Sequence, residues 1–220
     1  MLTKKNVAFL FDKKNSWLLK YLMFLKKLPK KKYNYYYFNN YIKIQNFEIV
    51  FVLGYTKILP ESFINKNSIV LIVHESNLPK FRGFAPVQWQ ILKNRKNIIN
   101  SLVLLGNNEK VDSGKIVLQN KILLKGHELY NEIREEQFNS TYKLIKKFLY
   151  IYPNFKIRKQ KGKSTFSRKR KPEDSKININ KNIKSQFNLL RICNNNDWPA
   201  FFLHKKNKYI LKIFKSNENN

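Results

Sequence analysis

Apolar and polar positions along this chain fall into two kinds of block. Asn6–Phe11 (NVAFLF), Phe47–Leu53 (FEIVFVL) and Ile69–Val73 (IVLIV) are short apolar runs that read as strands buried on both faces. Tyr33–Phe38 is aromatic and β-prone, and Ser101–Leu105 is a further strand. Lys115–Leu118 and Lys121–Leu124 read as two short strands about a polar turn. The other kind of block has helical spacing. Trp17–Leu28 carries Leu18, Leu22 and Leu25 after an Asn15–Ser16 cap signal and stops at Pro29. Pro86–Lys93 opens on a proline at its first turn. Glu128–Leu149 sets Leu129, Ile133, Phe138, Tyr142, Ile145 and Leu149 along one seam. Strands alternating with helices predict an α/β fold with a Rossmann-like, mainly parallel sheet covered on both faces. Ligands of such sheets sit beyond the carboxyl ends of the strands.

The pattern changes after Tyr152–Pro153. Lys156–Lys171 is basic and poor in apolar residues, and reads as a solvated, extended linker rather than a phosphate-binding strip. Asn182–Arg191 regains helical spacing through Ile183, Phe187 and Leu190, and Ala200–His204 with Tyr209–Phe214 flank Lys205–Lys208 as a hairpin. The expected organisation is an α/β domain over 1–152, a basic linker over 153–181, and a small C-terminal helix and hairpin over 182–220.

The length of 220 residues allows a real core without staples, and the single cysteine, Cys193, excludes an intrachain disulfide. No apolar run approaches the roughly 20 residues of a membrane span. The first residues, MLTKKNVAFLFD, lack the small-residue cleavage pattern of a leader, so a cytoplasmic protein with no membrane partner is expected. Lys and Arg number 44 against 14 Asp and Glu, a net charge of +30. Such charge attracts phosphate, but lysine is spread along the whole chain, which favours a compositional origin over a localised footprint. His127 and His204 have no partners at metal-ligand spacing, so no metal is expected.

Candidate chemistry concentrates in one stretch. His74 lies just past an apolar strand and opens the loop HESNLPKFRGFAP, in which Leu78–Pro79 stiffens the chain and Arg82–Gly83 adds a cation and a permissive backbone position. Ala85–Pro86 then begins a helix. Asp112–Ser113–Gly114 forms a second turn, 38 residues after His74. An imidazole and a carboxylate at neighbouring strand ends can handle protons at a carbonyl carbon.

These blocks resemble the formyltransferase family that uses 10-formyltetrahydrofolate, which includes methionyl-tRNA formyltransferases and sugar-amine N-formyltransferases. The family loop, Asn-x-His-x-Ser-x-Leu-Pro-x-x-Arg-Gly followed by a helix with Gln-Trp, is matched by His74, Ser76, Leu78, Pro79, Arg82, Gly83, Pro86, Gln88 and Trp89. The family's Asp-(Thr/Ser)-Gly turn is matched by Asp112–Gly114, and its folate loop by Gly54–Pro60. Gln160, Thr165–Phe166 and Pro172–Asp174 resemble the segment that follows the family's catalytic domain. Two positions depart from the pattern: Ile72 stands where the family has its catalytic asparagine, and Glu75 where it often has proline.

The resemblance implies that His74 stabilises the formyl oxygen, that Asp112 orients His74 and helps remove the amine proton, and that Ser76 or Asn77 supplies a hydrogen bond in place of the missing asparagine. Ile58, Leu59, Pro60, Arg82 and Gly83 are the expected folate residues. Asn15, Trp17 and Gln88 are expected on the acceptor side, although a helix cap and a core tryptophan account more simply for the first two. The implied reaction moves a formyl group from 10-formyltetrahydrofolate to the amine of a sugar nucleotide. A methionyl-tRNA acceptor, or a catalytically weak folate- or nucleotide-binding homologue, is the alternative. The oligomeric state, a homodimer included, is open.

Overall fold

The computed structural model describes residues 3–12, 16–107 and 109–216. Its centre is a six-stranded sheet in the order β2-β1-β3-β4-β6-β7. β1 (Lys5–Phe11), β2 (Tyr33–Phe38), β3 (Ile49–Leu53) and β4 (Val70–His74) are parallel. β6 (Asn97–Leu104) and β7 (Lys115–Leu123) run antiparallel beyond them. The central strands are apolar without alternation because both faces are covered. On one face Phe9 stacks on Tyr37 and Phe51, and Phe51 meets Phe148 of α5 (Tyr130–Ile151) edge-on at 5.8 Å. On the other, Ala8, Leu10, Val50, Val52 and Val70 pack against Phe63 of α3 (Glu61–Asn65), a short helix absent from the sequence expectation.

The expected helix over 17–28 is instead two turns, α1 (Ser16–Leu19) and α2 (Leu22–Leu25), joined by i to i+3 bonds from Tyr21 to Leu18 and from Phe24 to Tyr21. Burial still follows helical spacing at Leu18, Tyr21, Leu25 and Leu28. The Tyr21 ring lies flat on Phe138 of α5 at 4.7 Å, so packing keeps the face while the tighter bonds change the winding.

The two short strands expected around Gln119–Asn120 are one strand, β7, with a bulge where Leu102 pairs Leu118 but Val103 pairs Ile116. Gln119 and Asn120 do not form a turn because they have polar partners across the ladder. They lie opposite Ser101 and Asn100, and buried Asn100 donates to Ser140 and Thr141 of α5. The tip of the C-terminal hairpin is also tighter than expected. β9 (Ala200–His204) and β10 (Asn207–Leu211) flank Lys205 and Lys206, both with left-handed φ.

Residues 156–171 are exposed for the most part, but they are not merely solvated. Arg158 exchanges backbone hydrogen bonds with Ile116 at 2.8 and 2.9 Å, and β8 (Phe166–Ser167) pairs with β5 (Arg82–Gly83). The segment returns along the sheet and straps the loop that follows β4.

α6 (Ile183–Arg191) is capped by Asn182, whose side chain accepts from the Ser185 amide at 2.8 Å. It is anchored by a buried ion pair, Arg191 Nη1 to Glu128 Oε2 at 2.9 Å. Burial pushes the Glu128 carboxyl up, but the Lys125 and Gly126 amides and Arg191 all donate to it and bring it down to about 2. A carboxyl lowered on folding contributes stability above its unfolded value of 4.5 that is lost as pH falls towards about 2. Thermal melts across that window should therefore fall more steeply with acid for the native chain than for Glu128→Gln. Arg191→Ala, which strands a buried carboxylate, should cost about 3–5 kcal/mol at neutral pH.

Candidate active site

His74 closes β4, where it pairs in register with Ser101 of β6. Its ring is buried, and Nε2 lies 2.8 Å from the Phe81 carbonyl oxygen, which can only accept; Nε2 therefore carries the proton. Nδ1 then faces Asp112 Oδ1 at 3.6 Å, too long for a hydrogen bond but close enough to place the two buried side chains side by side. The structure thus brings together the two residues whose spacing in sequence gave the first indication of a site.

Asp112 is held from several sides. Its Oδ2 accepts from the Gly83 amide at 2.8 Å, joining the β6–β7 turn to the loop after β4. Gln160, on the returning strap, donates to the carbonyls of Asp112 and Gly114 at 2.7 and 2.9 Å and accepts from Arg82 at 2.6 Å. Phe81, Ala85 and Asp112 all have left-handed φ, of 58°, 49° and 53°. Such conformations are costly outside glycine, most of all for a bulky Phe, and they persist where surrounding bonds over-determine them. Here the Phe81 amide donates to Thr165 Oγ1 at 2.9 Å, and the Phe84 amide to the Ser167 carbonyl at 2.9 Å.

The other expected catalytic residues lie in the same loop. Ser76 is fully buried, with a hydroxyl that finds no partner among the described residues, and its carbonyl accepts from Ser101 Oγ, which accepts in turn from Gln119. Asn77 is exposed. Ile72, at the asparagine position of the motif, packs with Leu78 and Val103.

The expected folate residues divide into two groups. Ile58 projects into solvent, 84% exposed, in the loop after β3, while Leu59 packs on the core around Phe63 and Val52 and Pro60 precedes α3. The Thr56 hydroxyl donates to Asp12, so this loop is tied to the one after β1. Arg82 and Gly83 lie in β5 and face the strap: Arg82 donates to Gln160, and Gly83 has φ of 94°. Among the described residues no group of three or more His, Cys, Asp or Glu converges as a metal site would.

On the acceptor side, Asn15 lies outside the described residues. Trp17 and Gln88, distant in sequence, meet at one residue that sequence reading passed over. The Arg134 guanidinium lies 4.6 Å from the Trp17 ring and 4.9 Å from the Tyr130 ring. With the Gln88 amide turned so that its nitrogen donates to the Ala85 carbonyl, its oxygen accepts from Arg134 Nη2 at 2.9 Å. Arg134 Nη1 donates to Gln137, which donates to Glu75 beside His74 at 2.6 Å; Gln90 donates to the Glu75 carbonyl at 2.8 Å. Glu75, where the motif often has proline, is thus immobilised by α5 and by α4 (Pro86–Leu92).

Glycine is required at the β5–β8 crossing. A Cβ at position 83 would lie 2.5 Å from the Ser167 carbonyl oxygen, on top of the unfavourable φ. Gly83→Ala should separate the strap from the loop and cost about 1–3 kcal/mol. Thermal melts read the loss, and faster amide exchange at Phe84 and Thr165 would locate it.

A family model described as formyl transferase matches residues 3–145. The methionyl-tRNA formyltransferase of Thermodesulfovibrio yellowstonii is 30% identical over 184 residues, 80% of this chain and 56% of that protein. The chain thus spans little more than half the length of this curated relative. A methionyl-tRNA formyltransferase structure from Clostridium thermocellum superposes with a TM-score of 0.77 at 23% identity, covering 97% of this chain and 95% of that one. A 4-N formyltransferase from Francisella tularensis superposes at 0.73 with 14% identity, covering 97% and 99%. At those identities the structures speak for the fold, and the α/β architecture is the one they share. A buried imidazole–carboxylate pair on this sheet, together with the match over residues 3–145, establishes that the chain belongs to the formyl transferase family.

Proposed function

We propose that this chain transfers a formyl group from 10-formyltetrahydrofolate to a primary amine, and that the amine is the aminoacyl end of methionyl-tRNA. The observation that carries the reaction is the buried His74–Asp112 pair, held at one end of the sheet by Gly83 and Gln160. The curated relative at 30% identity is a methionyl-tRNA formyltransferase, which favours that acceptor over the aminosugar nucleotide expected from the sequence. The likeness in fold to the Francisella 4-N formyltransferase keeps the aminosugar as the second reading.

In this reading the amine lone pair attacks the formyl carbon and the formyl oxygen takes the negative charge. His74 stabilises that oxygen by turning its Nε2–H from the Phe81 carbonyl to it. With Ile72 where an amide would otherwise contribute, His74 carries a larger share of the stabilisation, supplemented by Ser76 or Asn77. Asp112 orients the imidazole and receives the proton that leaves the amine. Cleavage of the bond from carbon to N10 releases tetrahydrofolate, whose N10 takes up a proton. Holding the amine and the formyl carbon in register supplies much of the acceleration. Ile58, Leu59 and Pro60 would receive the co-substrate ring, with Arg82 and Gly83 on the near side. Trp17 and Gln88, joined through Arg134, face the acceptor.

Incubation with 10-formyltetrahydrofolate and either methionyl-tRNA or a panel of aminosugar nucleotides, read by mass for one added formyl, tests the reading and separates the acceptors. His74→Ala and Asp112→Asn should each lower kcat by at least about 100-fold while the fold persists. Near-native turnover in either variant would remove the assignment. A folate analogue that raises the melting temperature without turnover on any amine would point to a binding homologue instead.

A further inference from the structure

A groove of about 560 Å³ opens at the opposite end of the sheet from His74. It lies where β2 begins and α5 ends, whereas His74 closes the parallel strand β4. Lys31 and Lys32 line it from the chain entering β2, and Lys143, Lys146 and Lys147 line it from α5. Tyr150 adds a ring that is 87% exposed.

No carboxylate lines this groove, and none of its lysines takes part in an ion pair among the described residues. Lys143 has Lys146 and Lys147 at i+3 and i+4, a like-charge spacing that costs a helix about 0.2–0.5 kcal/mol per pair. The helix dipole favours cations near the end of α5. It does not explain why two further lysines meet them from the facing segment. The charge that looked diffuse along the sequence is locally concentrated here, around an apolar floor that includes Leu149.

We propose that this groove docks the phosphate backbone of RNA, with an unpaired base stacking on Tyr150. The proposal deepens the methionyl-tRNA reading and rests on it. Lys147 lies thirteen positions along α5 from Arg134 at the candidate site, about 20 Å along the helix. A nucleotide-sized anion in the groove would not reach His74, whereas an RNA can lie along α5 and present its end there.

The test uses the full chain and an unacylated methionine tRNA transcript, with affinity measured as a function of salt. Reversing the charge at Lys143, Lys146 and Lys147 to Glu should weaken binding on the order of 100-fold near physiological salt and flatten the slope of log K against log salt by about 2–3. A control with the same change in net charge, Lys43→Glu, Lys66→Glu and Lys121→Glu, should weaken it only a few-fold. Tyr150→Ala should cost about 10-fold on a single-stranded RNA probe. All of these side chains are exposed, and thermal melts check that each variant is folded. Equal losses in the two triple variants, or an unchanged slope in the first, would overturn the groove. A groove-dependent slope with no formylation of methionyl-tRNA would keep RNA docking and remove the acceptor reading. Formylation with an unchanged slope would do the reverse.

Discussion

The hydrogen bond from the Gly83 amide to the Asp112 carboxylate holds the candidate site together. A buried carboxylate is costly unless it is matched by donors. At this position one backbone amide supplies the match, and the same contact joins two turns that come from different parts of the sheet. That amide is presented by a glycine at φ of 94°, which β8 holds in place from the far side. Gln160 then grips the Asp112 backbone through its carbonyl, so neither the side chain nor the main chain of the aspartate is left to find its own position. The strained conformations at Phe81, Ala85 and Asp112 are tolerable because each lies within this mesh of bonds.

The sheet was largely legible in the sequence because its central strands are continuous apolar runs, and nothing else in the chain resembles them. That His74, Asp112 and the Leu-Pro and Arg-Gly loop would lie together was legible as well, because they stand at strand ends on one side of the sheet. What escaped was long-range. The break between α1 and α2 falls at Tyr21, whose ring is placed by Phe138, more than a hundred residues away. Gln119 and Asn120 look like turn residues until Ser101 and Asn100 are placed opposite them. The basic run after Tyr152 has a loop-like composition, and its hydrogen bonds run through the backbone, which leaves no mark in side-chain chemistry.

Arg134 is a further example of the same limit. On its helix it reads as one more polar position on a solvated face. In the fold it lies between two aromatic rings and joins Gln88 to Gln137, and through Gln137 to Glu75. A stiff proline at position 75 would need no such tether. A flexible glutamate does, and α5 supplies it from a residue that local periodicity could not distinguish.

The strap has a consequence for the order in which the molecule is completed. The six-stranded sheet and its long helix are finished by Ile151, and the matched family segment ends at residue 145. Gln160, Thr165 and Ser167 come later in the chain, yet they hold the loop after β4 and the aspartate turn in shape. On the ribosome, therefore, the sheet and its long helix would emerge whole while the candidate site was still unbraced, and its shape would be completed only by a segment outside the sheet.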